Sequence, residues 1–420
     1  MRFIHFQIIG TLALYGLQYW FYRKIRRDFG GLPFFGRFSL VIATIFVIFS
    51  APLTITILFR SIGKGLPHWF LFYVMYPVYI WHFISILIVA LLLAGKLVKA
   101  PFLALGWLAG KLEVSKPIVA SLRSNEAVRK FDAGRRRVVR QSFAIIAGGA
   151  AVGSAFELYR SGTYEQSTIR LQVRNLPESF QGFSIAFISD IHSGIFMSAE
   201  RMHEYATAVN SLDADMIIVT GDFVNLYLDE VYPFKEAFRS LSAPSGVFGV
   251  LGNHDYYTRQ VEEVAREVER TGISLLRNRY LPIERGGDTI HLAGIDDTGN
   301  PETAVRGFAQ IAGKPSEAGS KILLCHRPYF FKEAAAAGFD LVLSGHTHGG
   351  QVVLGAIGKD VLSPARLVSP YVSGLYTEGT SKMYVSRGLG TVSIPIRFNC
   401  PPEITKIILE RQATVASQAL

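Results

Sequence analysis

The sequence predicts a layered α/β domain that follows a helical, membrane-embedded N-terminal half. Three observations carry this expectation. Long apolar runs without Asp, Glu, Lys or Arg fill the first 95 residues of a 420-residue chain that is 50% hydrophobic and only 18% charged. A soluble domain usually carries about 25% charged residues. From about residue 170 the pattern changes to short β-rich runs alternating with helical ones, which argues for α/β layers. Charge divides at the same place. Residues 1–160 hold 20 Lys+Arg against 5 Asp+Glu, and residues 161–420 hold the remaining 23 against 28.

That charge split excludes a nucleic-acid partner, because the basic excess lies beside apolar segments and not on the folded half. It reads instead as a topology signal and as contact with a lipid bilayer. With 2 Cys the chain is no disulfide scaffold, and with 50% hydrophobic residues it is neither disordered nor collagen-like.

In chain order, spans are expected at 3–22, 38–59 and 69–94, each long enough for a bilayer core of roughly 20 residues. A shorter Gly/Ala-rich run at 141–156 follows Arg135, Arg136, Arg137 and Arg140. It reads as a fourth span or as a signal-like segment. Residues 101–110 are too short to span and read as interfacial. Trp20, Tyr22, Trp69 and Trp81 suit headgroup boundaries. The basic loops 23–37 and 95–140 belong in the cytoplasm by the positive-inside rule. A fourth span then delivers residues 161–420 outside; without it they are cytoplasmic. The spans carry almost no ionisable residue besides His5 and His82, which argues against a transporter.

Strands are expected at 184–189, 216–220, 247–252, 289–295, 321–325, 340–345, 382–386 and 404–409, with helices between them, such as 199–210 and 259–272. Polar residues stand at the ends of these runs: Asp190 and His192, then Gly221-Asp222, then Gly252-Asn253-His254-Asp255, then His326, then Gly345-His346-Thr347-His348-Gly349-Gly350-Gln351. Ligand sites of α/β folds gather beyond the carboxyl ends of strands. Of 10 His in the chain, five fall in these blocks. Carboxylate, imidazole and amide oxygen together suit Mn, Fe, Zn or Co better than Mg or Ca. An Asp central to the set can bridge two ions, the arrangement that clamps attacking and leaving oxygens in a displacement at phosphorus.

The ordered blocks D-x-H, GD, GNHD, a later His and GHTH resemble the calcineurin-like metallophosphoesterase superfamily over roughly residues 170–410. LGNHDYY, LAGIDD, SGHTHGGQ and VSRGLG…PPEITKIIL are similar to its membrane-associated YkuE/YaeI-type branch. The resemblance implies a four-layer α/β/β/α sandwich at 161–420 behind a transmembrane region at 1–160. It implies two divalent metal ions, with Asp190, His192 and His348 on the first, Asn253, His326 and His346 on the second, and Asp222 bridging both. It also implies attack by a metal-bridged hydroxide, His254 at the phosphoryl or leaving-group oxygen, and Asp255 orienting His254. The chain departs from GDxVD by carrying Asn225 where the pattern has Asp.

Arg387 reads as a substrate-phosphate donor or an ordinary ion pair. Asp296 and Asp297 read as a solvated turn before Gly299, His203 and His291 as structural, and Cys325 as a buried thiol facing away from His326. Cys325 and Cys400 would be free to pair only if the fold brought them together. The expected function is a multi-pass, membrane-anchored phosphodiester or pyrophosphate hydrolase acting on a phosphorylated small molecule or lipid, with a UDP-2,3-diacylglucosamine-type substrate as one candidate. The competing reading is a non-catalytic metal-binding scaffold, which has no use for His254.

Overall fold

The computed structural model describes residues 2–31, 33–58, 74–109, 111, 163–194, 196–297, 299, 301–312, 319–357, 360–392 and 397–412. The chain forms two compact units, Met1–Phe156 and Glu157–Leu420.

The first unit contains three long helices: α1 (Arg2–Phe29), α2 (Pro33–Leu58) and α3 (Tyr76–Ala109). They overlap the apolar runs of the sequence, of which residues 59 and 69–73 lie outside the described residues, and pack through aromatic edges. Phe46 meets Phe21 at 5.7 Å and Trp81 at 4.9 Å between ring centroids. Trp81 is therefore held between helices, and its indole N–H donates to Gln18 Oε1 at 3.2 Å. His82 Nδ1 lies 2.8 Å from the Val78 carbonyl of its own helix. Residues 101–109 continue α3, which includes Lys96, Lys99 and Pro101. Ile9, Leu12, Leu40, Val47 and Leu97 are more than half exposed. Among the described residues, no helix is long and apolar enough to cross a membrane. The run at 141–156 lies outside the described residues.

The second unit is built from two six-stranded sheets and a hairpin. The strands are β1 (Glu165–Val173), β2 (Ser184–Ile188), β3 (Met216–Thr220), β4 (Val247–Val250), β5 (Ser274–Leu275), β6 (Arg279–Arg285) and β7 (Asp288–Gly294). They continue with β8 (Lys321–Leu324), β9 (Leu341–Ser344), β10 (Gly355–Ile357), β11 (Asp360–Leu362), β12 (Gly374–Glu378), β13 (Ser381–Val385) and β14 (Glu403–Arg411). One sheet has the order β1-β14-β2-β3-β4-β5 and the other β12-β13-β9-β8-β7-β6. Both are parallel at their centres, with β2∥β3∥β4 in one and β7∥β8∥β9∥β13 in the other. A parallel sheet is covered on both faces, so its strands read as unbroken apolar runs. Every residue of β2, β3, β4 and β9 is buried.

Alternation along each strand sends side chains into different layers. Between the sheets, Ile185, Phe187 and Ile218 join Leu292, Ile322 and Leu343 in one core. On the outer face of the first sheet, Ile188 and Val219 pack under α4 (Ala199–Asn210), α5 (Val231–Phe238) and α7 (Val261–Glu269) through Tyr205, Phe234 and Val264. On the outer face of the second, Leu323 and Val342 pack under α8 (Pro301–Ala312) and α9 (Phe331–Ala336) through Phe308 and Phe331. Each fully buried chain of this size contributes about 1.5–3 kcal/mol. The layers are therefore α/β/β/α, as the resemblance implied. The strand β1 was not expected; its sequence EQSTIRLQV is polar and half exposed because it is an edge strand, paired in parallel with β14. The helix expected at 259–272 is shorter, Val261–Glu269.

Candidate metal centre

The site is assembled at the carboxyl ends of β2, β3 and β4 from one sheet and β8 and β9 from the other. Here short loops turn the backbone so that several side chains converge. Asp190, His192, Asp222, His346 and His348 all adopt positive φ, between 48° and 73°. Non-glycine residues held in this region cost about 1–3 kcal/mol each and gather at functional sites. Close approach also fixes Gly252, where an added Cβ would lie 2.3 Å from Asp222 Oδ1.

The side chains form two groups that share one residue. Asp190, His192, Asp222 and His348 are all buried and bring their ligand atoms within 4.8 Å of one another; so do Asp222, His326 and His346. Asp222 divides its carboxylate between two tasks. Oδ1 accepts the His254 backbone N–H at 2.8 Å. Oδ2 faces both groups, 3.4 Å from His192 Nε2 and 3.2 Å from His326 Nε2. His348 Nε2 is 3.4 Å from Asp190 Oδ1. The Asp190 carboxylate accepts the His346 backbone N–H at 3.0 Å, which ties the GHTH loop to the D-x-H loop.

The arrangement fits cations. Imidazole nitrogens face each other at 3.0 Å (His192 and His348) and 3.3 Å (His346 and His326), which puts several nitrogen donors within reach of one ion. Asn253 Oδ1 is buried without a hydrogen-bond partner among the described residues. A buried amide oxygen left bare costs about 1–3 kcal/mol, and a metal is a partner of the right kind. Burial pushes His192 and His348 down to about 3 and His346 to about 2, which keeps these imidazoles neutral and able to coordinate. Burial also works against charge on His326, but the Asp222 carboxylate beside it prevails and lifts it to about 10. Asp222 is held well below the usual range, against the cost of burial, chiefly by His326. His326 Nδ1 lies 2.8 Å from the Thr220 carbonyl; donating its proton there leaves Nε2 as the ligand atom.

Six of the seven expected ligands thus fall into these two groups, and Asn253 opens the short helix α6 (Asn253–Tyr257) directly after Gly252. Three expectations about other residues need correction. Asp255 does not orient His254. Its buried carboxylate accepts three backbone N–H groups instead, from Gly252 at 2.8 Å, Asp222 at 3.1 Å and Val224 at 3.2 Å. His254 is oriented by the Asn225 carbonyl, 2.6 Å from its Nδ1. The departure at Asn225 is immaterial to this bond, because any residue supplies that carbonyl. Arg387 is an ion pair: Glu403 takes its Nε at 3.2 Å and Glu165 its Nη2 at 3.0 Å. Asp297 is no solvated turn, since it is buried and clamps Arg327.

Cys325 and Cys400 are both buried and free, and Cys325 belongs to the outer core under α8 and α9. His291 is structural, with Nδ1 2.6 Å from Tyr280 Oη. Sequence reasoning missed Arg397. Fully buried, it donates to the carbonyls of His348 at 3.3 Å, Arg387 at 2.8 Å and Gly390 at 3.1 Å, pinning the GHTH loop to the 387–390 loop. No motif marks it; only the depth of its burial does.

Residues 183–350 match the calcineurin-like phosphoesterase family. A Danio rerio "Transmembrane protein with metallophosphoesterase domain" is 33% identical over 253 residues, 58% of this chain and 56% of that protein. A Bos taurus protein of the same name is 30% identical over 302 residues, 69% of this chain and 66% of its own. The chain thus matches just over half to two thirds of the length of these two relatives. Bacillus subtilis "Uncharacterized metallophosphoesterase YkuE" is 30% identical over 287 residues, 66% of this chain and 97% of that protein. With its two-cluster site, its sandwich fold and near-complete coverage of that last relative, the chain belongs to the calcineurin-like metallophosphoesterases.

Proposed function

We propose that this chain is a membrane-anchored phosphoesterase that uses two divalent metal ions to hydrolyse phosphodiester or pyrophosphate bonds in a small-molecule or lipid-linked substrate. The observation that carries the reading is the Asp222 carboxylate oxygen placed between His192 at 3.4 Å and His326 at 3.2 Å, which joins two ligand groups into one site. Asp190, His192 and His348 would hold one ion and Asn253, His326 and His346 the other. Bound there, the ions would supply Lewis acidity and an activated water. The chain's own residues do the rest. His254, fixed through Nδ1 by the Asn225 carbonyl, leaves Nε2 to meet the phosphoryl or leaving-group oxygen and pass it a proton. Asp255 holds the backbone that carries Asp222, and the surrounding core excludes bulk water.

Membrane anchoring is supported by the uncharged runs at 3–22, 38–59 and 69–94, by the outward apolar side chains of α1, α2 and α3, and by the relatives' names. We place residues 161–420 outside the cytoplasm, provided 141–156 crosses; an alkaline-phosphatase fusion after residue 160 reports the side directly. Activity on that side would remove a cytosolic UDP-2,3-diacylglucosamine-type substrate from consideration.

The test of the activity is a substrate screen on the detergent-solubilised full chain with Mn, Fe, Zn and Co, using bis-p-nitrophenyl phosphate and pyrophosphate diesters. Metal-dependent turnover abolished by Asp222→Asn is expected. Stoichiometric metal binding with no turnover of any substrate would overturn it in favour of a scaffold.

A further inference from the structure

Glu230 belongs to none of the sequence blocks, and the chemistry above does not use it. It closes the short turn Leu228–Glu230 ahead of α5. One oxygen of its carboxylate, Oε2, accepts three consecutive backbone N–H groups: Asn225 at 2.9 Å, Leu226 at 2.6 Å and Tyr227 at 2.9 Å. Successive N–H groups that converge in this way form an anion cradle, here filled by the chain's own carboxylate. The side chain is wedged in place. A Cβ added at Gly194 would lie 2.8 Å from Glu230 Oε1, and the Glu230 carbonyl accepts the Ser193 hydroxyl at 2.6 Å.

The cradle decides where the outer side of the loop points. The Leu226 N–H and the Asn225 C=O belong to one peptide unit. That unit is planar, and in the trans form its two polar bonds point in opposite directions. Drawing the N–H onto Glu230 therefore turns the carbonyl away from it, and that carbonyl lies 2.6 Å from His254 Nδ1. A carbonyl oxygen can only accept, so Nδ1 carries the proton. Glu230 Oε2, the 225–226 peptide and His254 Nδ1 thus form a chain of two short hydrogen bonds through a single amide. Negative charge at one end polarises the amide and strengthens the bond at the other.

We propose that Glu230 is the positioning residue for His254. Its carboxylate fixes the orientation and the tautomer of the imidazole through the 225–226 peptide, at one remove from the ring. The task of His254 rests on the phosphoesterase reading; the hydrogen-bond chain does not.

One test needs no turnover. Proton NMR of the full chain in detergent, with histidine labelled on its ring nitrogens, follows the His254 Hδ1 signal, assigned by its loss in His254→Ala. A bond this short should place that signal far downfield. Glu230→Gln keeps the shape and removes the charge, and should move it upfield; Glu230→Asp keeps the charge and should move it less. A signal unmoved in both variants overturns the proposal. The second test is kinetic, with bis-p-nitrophenyl phosphate. Glu230→Gln should keep KM and both metal ions while lowering kcat about 10-fold, against about 10²–10⁴-fold for His254→Ala. Added to His254→Ala it should lower kcat no further, because a residue that acts only through His254 has nothing left to act on. An equal loss in both backgrounds would make Glu230 a support of the loop alone and overturn the proposal. Should Glu230→Gln fail to fold, Glu230→Asp carries the same cycle. A shifted signal in a wild type that turns over no substrate overturns the task of His254 and upholds the hydrogen-bond chain.

Discussion

Replacing Asp255 by alanine separates two roles for a residue that the sequence alone would attach to His254. In the structure its fully buried carboxylate accepts backbone N–H groups from Gly252, Asp222 and Val224 at 2.8, 3.1 and 3.2 Å. Leaving a buried donor unsatisfied costs about 1–3 kcal/mol. Three donors, with some relief from an entering water, give a loss of about 3–6 kcal/mol. At roughly 2–4 °C per kcal/mol for a unit of this size, Tm should fall by about 6–24 °C. Asp255→Asn can satisfy some of the three donors but not all, and should fall between. Differential scanning fluorimetry of the full chain in detergent, following the transition that responds to added metal, reads this directly. Because the donors include Asp222 and Gly252, metal affinity should weaken in the same order as stability. A variant with wild-type Tm and metal affinity but slow turnover would refute the reasoning and return Asp255 to the task of orienting His254.

His254→Ala should leave two metal ions per chain by elemental analysis while lowering kcat about 10²–10⁴-fold, and loss of metal along with activity would contradict the placement of this imidazole outside the ligand set. Gly252→Ala would set a Cβ 2.3 Å from Asp222 Oδ1 and 2.5 Å from Asp222 N, neither of which can swing aside, so metal stoichiometry should fall below two ions per chain; full occupancy would show the loop to be more forgiving than its geometry. The chelated protein should lose stability as pH falls through about 6.5, the unfolded value for histidine. His192, His346 and His348 are depressed to about 3, 2 and 3, so the unfolded chain binds protons that the folded one refuses. His326, raised to about 10, works in the opposite direction, with stability present below about 6.5 and lost as pH climbs toward 10. Denaturant titrations at pH 5 and 7 decide the net sign, and greater stability of the chelated form at pH 5 would refute the first part.

Much of the catalytic unit was legible in the chain. Parallel strands buried on both faces must be apolar throughout, so SIAFI, MIIVT and LVLS announce themselves, and the ligands follow at their ends because loops there are free to carry polar groups. Glycines beside Asp222, Asn253 and His346 gave the same message: backbone and side chain meet closely at those points. Where they are described, the N-terminal apolar runs likewise lie in helices, α1, α2 and α3.

What only the tertiary structure decided was which partner each polar group takes. Asp255 is adjacent to His254 in sequence, yet its carboxylate turns back to three N–H groups, Gly252 at the start of the short helix after β4 and Asp222 and Val224 in the loop after β3. Arg387 stands in a motif beside the site, but β1 and β14 bring Glu165 and Glu403 against it from positions more than 200 residues apart. Arg397 and the Asp297–Arg327 clamp carry no local pattern at all. Periodicity and composition record how much of each residue is buried. The partner of a buried charge is set by long-range packing, and no stretch of sequence contains both halves of that choice.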